Sequence, residues 1–546
     1  MNSVQSRIAI PSPKPWVALL VLGALSIPLI FMGIDRYGVV GSDEAFYQDI
    51  ALGMLDRGDF FELRSGGAIY VYDTFANAPI QYWARATVAA VLGKSMLSMR
   101  ILSALSALFA VWMTYRMILF TWGRRAAFTG GLVLLTSFQF LYLHSARTGE
   151  LEPTVCLILV SCAYLFIRNL ADPSRHWLLH HLLLAALFNI KAPIVFIPVA
   201  AELIAFALIS GARSRLGGWL KWGLFIAPLA LLWHGYQAFQ YPEQVRSVIT
   251  AVGHQMSGDF AVGPGGGFFG RALYYGEKLL FGSFPYILLY PLALIRAGGQ
   301  ALGRDATAPD KRQATQILLI YLFTVLAFYV TISKVGPWYI VHAYPFLAAL
   351  VGLYLAGLHQ QKKHEPAGLA AICLALSLAF WLKPEIAGYN PFSMDAYVIP
   401  MQTAWRNLPY LDPRIGAVVL AVAILAGLLA WQRRSGSRFS PGLALALFAA
   451  FIGYGGIRSL APLAYVDHLS PVAALDADLR QRANSGAPIP FPVDVPRTHP
   501  WVVNYYFYRD FDLRVSSREA PPAYRKPMEY LLLGWKPGRE TQSATR

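Results

Sequence analysis

The chain has 546 residues, 56% hydrophobic and 14% charged, with a formal net charge of +16 and a mean hydropathy of +0.45. A soluble protein of this length carries roughly 25% charged residues, so the composition excludes a soluble globular enzyme and indicates an α-helical polytopic membrane protein. The three cysteines, Cys156, Cys162 and Cys373, all lie inside apolar runs, which argues against a disulfide framework and against a thiolate metal site.

Apolar runs long enough to cross a bilayer, about 17–22 residues each, fall near 16–34, 98–120, 126–143, 151–168, 176–190, 192–210, 218–240, 277–296, 315–332, 338–357, 367–383, 415–432 and 440–461. That predicts thirteen transmembrane helices. The first run has signal-anchor length, and no small-residue cleavage site follows it. The segment 81–92 is too short and too polar to span and reads as an interfacial helix. Alternate connections carry sixteen basic residues, from Arg124 and Arg125 through Lys362 and Lys363 to Arg438, against the acids Asp172, Asp305 and Asp310. Positive connections stay in the cytoplasm. The basicity is therefore a topology signal, and no nucleic-acid partner is expected.

The first connection on the opposite face, 35–97, opens with Gly41-Ser42-Asp43-Glu44-Ala45-Phe46-Tyr47. From Asp35 to Asp73 there are eight carboxylates against three arginines. A solvated loop would explain many of them, but an adjacent acid pair so close to a span end lies at the membrane–water boundary. A lipid-borne substrate presents its head group there. The loop closes on Ala76-Asn77-Ala78-Pro79-Ile80-Gln81-Tyr82-Trp83, with Pro79 suited to a helix's first turn; Tyr82 and Trp83 read more readily as membrane anchors than as ligand groups.

Further along, His144-Ser145-Ala146-Arg147-Thr148-Gly149-Glu150-Leu151-Glu152-Pro153 is a polar decapeptide between apolar runs. Pro153 fits the start of the next helix, which puts Glu150 and Glu152 at its N-terminal end, where capping alone would account for them. Asn189-Ile190-Lys191-Ala192-Pro193 interrupts another apolar stretch, and a lysine there must reach an interface or pair with a carboxylate or phosphate. The Gly-rich segment Tyr241–Gly276, with His254, Asp259 and Arg271, has the length of a lid or binding loop. Ser333-Lys334 precedes Tyr339 and His342, which are three residues apart on one helical face. Beyond Ala461 the composition turns polar and Pro-rich. The chain thus divides into a transmembrane catalytic domain, 1–462, and a small α/β extracytoplasmic domain, 463–546.

In this order the pieces resemble the C-type glycosyltransferases that take a sugar from a polyprenyl phosphate. The likeness is to the bacterial branch containing the lipid A aminoarabinose transferases, which is related to the protein O-mannosyltransferases. Asp43–Tyr47 resembles that family's first-loop acidic motif, and Ala78–Trp83 its Pro-Pro-Leu-Leu-Tyr-Trp element. Arg147 with Glu152 falls where the family has an arginine and, five residues on, an aspartate. Lys191-Ala192-Pro193 resembles its Lys-Gly-Pro, and Ser333-Lys334 with Tyr339 and Pro345 its Ser-Lys-Leu-Pro-x-Tyr run. Phe284-Pro285 to Pro291 and Tyr505–Arg509 also have counterparts. Two positions depart: the family's first-loop arginine is Phe46 here, and its Glu-Lys pair is Ala76-Asn77.

The resemblance implies inverting transfer from a polyprenyl-phosphate-linked sugar to a hydroxyl or phosphate of lipid A or lipopolysaccharide, a cell-wall glycan or a protein. The place implied is a bacterial inner membrane, with the site facing the periplasm. Displacing a lipid phosphate from an anomeric carbon needs a base for the acceptor and positive charge for the leaving group. Asp43 is expected as base and Glu152 as its catalytic partner, Glu44 and Glu152 positioning sugar or acceptor and Glu150 standing in for Glu152. Tyr47, Asn77, Tyr82, Arg147, Lys191, His254, Lys334, Tyr339 and His342 complete the expected donor and acceptor contacts. Lys334, Lys191 and Arg147 are the expected cations for the phosphate. No group of histidines and carboxylates in the sequence demands a metal, and no cofactor is expected. A transporter or lipid flippase would place charges near the middle of several spans and show a pseudo-repeat; neither is found. A ligase using a pyrophosphate-linked donor would need more arginine than the outer loops offer.

Overall fold

The computed structural model describes residues 15–360 apart from the stretches 32–33, 36–41, 66–67, 70–74, 142–143, 173–174, 176, 243–244, 246–266, 284–285, 287–288, 305–307 and 333–335, together with residues 481 and 485. The three spans expected after residue 366, the C-terminal domain apart from residues 481 and 485, His254, Lys334 and Tyr505–Arg509 lie outside the described residues.

The first apolar run forms helix α1 (Pro15–Ser26), which continues as a π-helical segment, Ile27–Phe31. Ser26 donates its hydroxyl to Leu22 O at 2.8 Å where the change begins, a bond that competes with the regular ladder. The acidic stretch folds as α2 (Ser42–Arg57), with Asp43 and Glu44 in its first turn, where the helix dipole favours carboxylates. Gly58, at φ 67, follows its last turn. A minimal antiparallel pair, β1 (Arg64–Ser65) with β2 (Ala68–Ile69), follows in register Arg64↔Ile69. The expected interfacial helix is α3 (Ile80–Leu92), started at Pro79 and packed on α2.

Helix α4 (Met96–Trp122) starts with a capping box between Ser95 and Ser98. Gly123, at φ 93, separates it from α5 (Arg124–Leu135). The expected span 126–143 stops at Leu135, where Thr136 and Ser137 donate their hydroxyls to Leu132 O and Val133 O, both at 2.7 Å. One turn, α6 (Phe138–Leu141), leads into the polar loop 144–151, and α7 (Glu152–Ala171) follows with Pro153 in its first turn. Then come α8 (Leu178–Phe188), a 3-10 turn Ala192–Val195, α9 (Phe196–Leu208) and α10 (Leu216–Gln240).

The expected single span 277–296 is instead two helices, α11 (Gly267–Gly282) and α12 (Leu289–Ala301). Gly282, Ser283 and Pro285 stand where it would have run, and a proline removes a helix donor. The segment read as a lid loop is thus helical from Gly267 onward. α13 (Pro309–Thr331), the 3-10 segment Pro337–Ala343 and α14 (Tyr344–Gln360) end the described core.

Helix α4 packs on α5 and α7, and α14 packs on α5. The last crossing is backbone on backbone: a Cβ at Gly352 would lie 2.6 Å from Ala126 O and 2.8 Å from Gly130 N. Such close approach is how helices associate in lipid, where no hydrophobic force drives them together. Among the described residues five helices are long and apolar enough to cross a membrane: Met96–Trp122, Glu152–Ala171, Arg213–Gln240, Pro309–Thr331 and Trp338–Gly357. Leu224 and Phe239 on α10 are 76% and 85% exposed, an arrangement stable against lipid tails rather than water.

Candidate active site

The adjacent acids of α2 have different surroundings. Glu44 is fully buried and its carboxylate accepts from Arg100 Nη2 at 2.9 Å, Arg100 Nε at 3.1 Å and the Gly149 N–H at 2.7 Å. Arg100 also donates from Nη1 to Ile34 O at 2.7 Å. One buried ion pair therefore ties α2, the start of α4, the end of the first span and the loop 144–151 together. Asp43 is half-buried and lies beside His144 and Glu150, with one ligand atom from each of the three within 4.8 Å of the others.

The loop that carries His144 and Glu150 is held by its own backbone. Ala146 N–H donates to Phe140 O, Arg147 N–H to Leu141 O, and Thr148 N–H to Ser145 O. Arg85, buried in α3, donates to Met99 O at 2.9 Å and Gly149 O at 2.7 Å, and Ser103 donates to Glu150 O. Gly149 has no room for a side chain: a Cβ there would lie 2.9 Å from both Glu44 Cβ and Met99 O. His144 stands in the left-handed region at φ 52, its ring stacked on Trp338 at 4.2 Å, and its Nδ1 is 3.2 Å from Glu150 Oε1.

Electrostatically this corner holds more negative charge than its neighbours balance. Burial pulls the His144 imidazole down, but Glu150, through charge and hydrogen bond, and then Asp43 and Glu152 outweigh it and raise the ring to about 9. Burial pushes Glu150 up, His144 opposes it, Asp43 and Glu152 add to it, and the carboxyl stands near 7. The two partners thus do not behave as a simple ion pair, which would lower the acid. Both move toward keeping a proton because carboxylates crowd a buried space. Tyr47, between these groups and Tyr82, is driven well above the usual phenol range by burial first and then by Asp43, Glu150 and Glu152. Its hydroxyl therefore keeps its proton at neutral pH.

A second group adjoins the first through the two-residue step from Glu150 to Glu152. Glu152 Oε1 accepts from Lys191 Nζ at 2.7 Å, and Lys191 stands 5.1 Å from the centre of the Tyr339 ring. Tyr339 stacks on Tyr329 at 5.3 Å, and the Tyr329 hydroxyl is 2.5 Å from His342 Nδ1. Lys191 lies where α8 gives way to the 3-10 turn started by Pro193, so a break in helix, not a snorkelling side chain, brings it to Glu152.

The expected residues therefore divide. Asp43, Tyr47, Tyr82 and Glu150 converge on one corner, and Glu152, Lys191, Tyr339 and His342 on the adjoining one. Glu44 is fully buried and engaged by Arg100. Arg147 is buried and donates to Leu29 O at 3.1 Å and Ile30 O at 3.2 Å, the carbonyls of the π segment. Tyr82 is fully buried, edge-on to Tyr47 at 6.1 Å, and is not a membrane anchor. Asn77 is half-buried just ahead of α3. Sequence reasoning missed Arg100, Arg85 and His144. An arginine inside the run 98–120 was the available signal, since a charge in a span needs a partner.

A family model described as dolichyl-phosphate-mannose-protein mannosyltransferase matches residues 76–234, the stretch that carries Asn77, Tyr82, Glu150, Glu152 and Lys191. No curated protein matches the chain in sequence. Among solved structures, ArnT from Cupriavidus metallidurans in the apo state matches with a TM-score of 0.65 at 18% identity, covering 90% of this chain and 84% of that one. ArnT from the same organism bound to undecaprenyl phosphate matches with a TM-score of 0.65 at 19% identity, covering 90% and 85%. The fold is ArnT-like. The resemblance to C-type glycosyltransferases is borne out in the fold, and in sequence over the residues that the family model matches.

Proposed function

We propose that this chain, a multi-pass membrane protein with the fold of the C-type glycosyltransferases, moves a sugar with inversion from a polyprenyl phosphate to an acceptor of the cell envelope. The observation that carries the reading is the corner where the first turn of α2 brings Asp43 against Glu150 and His144, beside the Glu152–Lys191 pair. The match to ArnT bound to undecaprenyl phosphate supports a donor of that chemistry.

In the proposed step the acceptor oxygen attacks the anomeric carbon while its proton passes to Asp43. The bond from that carbon to the phosphate oxygen breaks, and the phosphate leaves with the electron pair. A positioned base of this kind contributes about 10²–10⁴-fold. Glu152 and Lys191 orient the sugar and the phosphate; Glu44 acts through the backbone it anchors. Lys334 and His254 are proposed as further donor contacts. The site faces the periplasm of a bacterial inner membrane, where flipped lipid-linked sugars arrive and nucleotide sugars do not. The acceptor is a hydroxyl or phosphate of lipid A or lipopolysaccharide, of a cell-wall glycan or of a protein.

The test is reconstitution of the full chain in liposomes with a synthetic polyprenyl-phosphate sugar, following release of polyprenyl phosphate. Release that depends on an envelope extract, and that Asp43→Asn abolishes, is the expected result. Use of a nucleotide sugar with no lipid donor would overturn the reading. Mass spectrometry of lipid A, envelope glycans and envelope proteins, with and without the gene product, then identifies the acceptor.

A further inference from the structure

We propose that Gln81 selects the sugar that is transferred, its buried amide pairing with two adjacent hydroxyls of the donor's glycosyl group. This rests on the transferase reading and names a residue that sets its donor. Gln81 is 6% exposed, in the first turn of α3, and neither its Nε2 nor its Oε1 has a hydrogen-bond partner among the described residues. A primary amide offers two donors and a carbonyl acceptor. Burying both ends unpaired is costly unless something binds there. Folding does not ask for an amide at this place. The Pro-Pro-Leu-Leu-Tyr-Trp element of the resembling family has a leucine where this chain has Gln81, and a leucine fills a buried position without that cost.

Three contacts place the amide with respect to the site. Ile80, the residue before it, donates its N–H to Asn189 O at 3.3 Å, which ties the first turn of α3 to the end of α8, two residues ahead of Lys191. Tyr82, the residue after it, is edge-on to Tyr47 at 6.1 Å. Arg85, one turn along the same buried face, donates to Gly149 O at 2.7 Å, beside Glu150. Gln81 therefore stands where α3 passes from the Lys191 group to the Asp43 corner.

In the proposed step Lys191 holds the phosphate and Asp43 takes the acceptor proton, so the ring of the donor sugar lies between them and its hydroxyls come to this part of α3. Each hydroxyl of an adjacent pair both donates and accepts, and the carbonyl and NH2 of one amide, side by side, match such a pair. One more buried atom without a partner among the described residues stands in each adjoining group. These are Glu150 Oε2 in the first and, in the second, His342 Nε2, on a ring whose Nδ1 is 2.5 Å from the Tyr329 hydroxyl. They are left for the remaining polar groups of the ring.

The test runs the full chain in liposomes on synthetic polyprenyl-phosphate hexoses and pentoses, then on each monodeoxy analogue of the donor that wild type uses best. Wild type is compared with Gln81→Leu, which carries the side chain of the family's element, and thermal melts check folding. Wild type should reject two analogues, lacking adjacent hydroxyls, by about 10²-fold or more in kcat/KM, because each leaves the buried amide half unpaired. Gln81→Leu should lose most of its rate on the parent donor and use those two analogues within roughly threefold of it, with the preference at other ring positions kept. Competition by bare polyprenyl phosphate, which has no sugar, should be the same for both proteins. An unchanged deoxy profile in Gln81→Leu would overturn the proposal, and so would an equal loss on every donor with a lowered melt, the mark of a structural role. A changed preference among acceptors with the donor profile intact would take Gln81 off the donor. Wild type that turns over no lipid-linked donor would instead overturn the transferase reading itself, and the proposal with it.

Discussion

Asp43 and Glu44 are neighbours in one helical turn, yet removing their charges should produce different failures. Asp43→Asn keeps the shape and removes the proposed base, so transfer should fall by about 10²-fold or more while the melting temperature stays. Turnover within roughly threefold of wild type would take Asp43 out of that role. Glu44→Gln should instead cost stability, because it leaves the fully buried Arg100 without its counter-charge; breaking a buried pair from one side costs about 3–5 kcal/mol. A melting curve decides: if Glu44→Gln lost transfer with an unchanged melt, its carboxylate would be touching substrate after all. Lys191→Ala should weaken polyprenyl-phosphate binding by roughly tenfold or more, the worth of a charged hydrogen bond. A lipid-competition assay reads this, and unchanged affinity would remove Lys191 from the phosphate site.

At the scale of elements, what matters is how closely backbones approach one another. Gly149 lets the loop 144–151 lie against α2 and α4 at a distance that a single methyl forbids. Gly149→Ala should therefore push Glu44 and Met99 apart, destabilising by about 1–3 kcal/mol and lowering transfer with it. Gly352→Ala, at the crossing of α14 and α5, meets the α5 backbone at Ala126 and Gly130 and should cost at least as much, yet it touches nothing at the site. Comparing residual turnover per folded molecule separates them. It should drop in the first and hold in the second; equal turnover per folded molecule would mean that the loop does not position the site. The break between α11 and α12 belongs to this scale too, since the run 277–296, apolar enough to be read as one span, divides between Gly282 and Leu289.

For the whole molecule, the proposed site depends on the topology expected from the sixteen basic residues on alternate connections. Single cysteines at Ser65, Ser257, Ser435 and Ser517 in a Cys-free background, probed with a membrane-impermeant maleimide, test it. Positions 65, 257 and 517 should label in cells with a permeabilised outer membrane, and 435 only after lysis. If 65 and 517 labelled from opposite sides, the number of crossings between them would be odd by one, and the C-terminal domain could not share a face with Asp43.

Hydropathy and charge determined the membrane class, the approximate bounds of most of the described apolar helices and the polar motifs between them, because these follow from residues adjacent in the chain. Asp43, Glu150, Glu152 and Lys191 were legible as polar residues at span ends, where burial of a charge is costly enough to mark them. Their partners were not. That Glu152 takes Lys191, that Glu44 takes Arg100, and that His144 rather than Arg147 reaches the Asp43 corner depends on residues 39, 56 and about 100 positions apart. Sequence shows which charges need compensation. Only the packing of α2, α3, α4 and α7 around the loop 144–151 decides which group supplies it, because in a buried site the nearest opposite charge is set by the fold and not by the order of the chain.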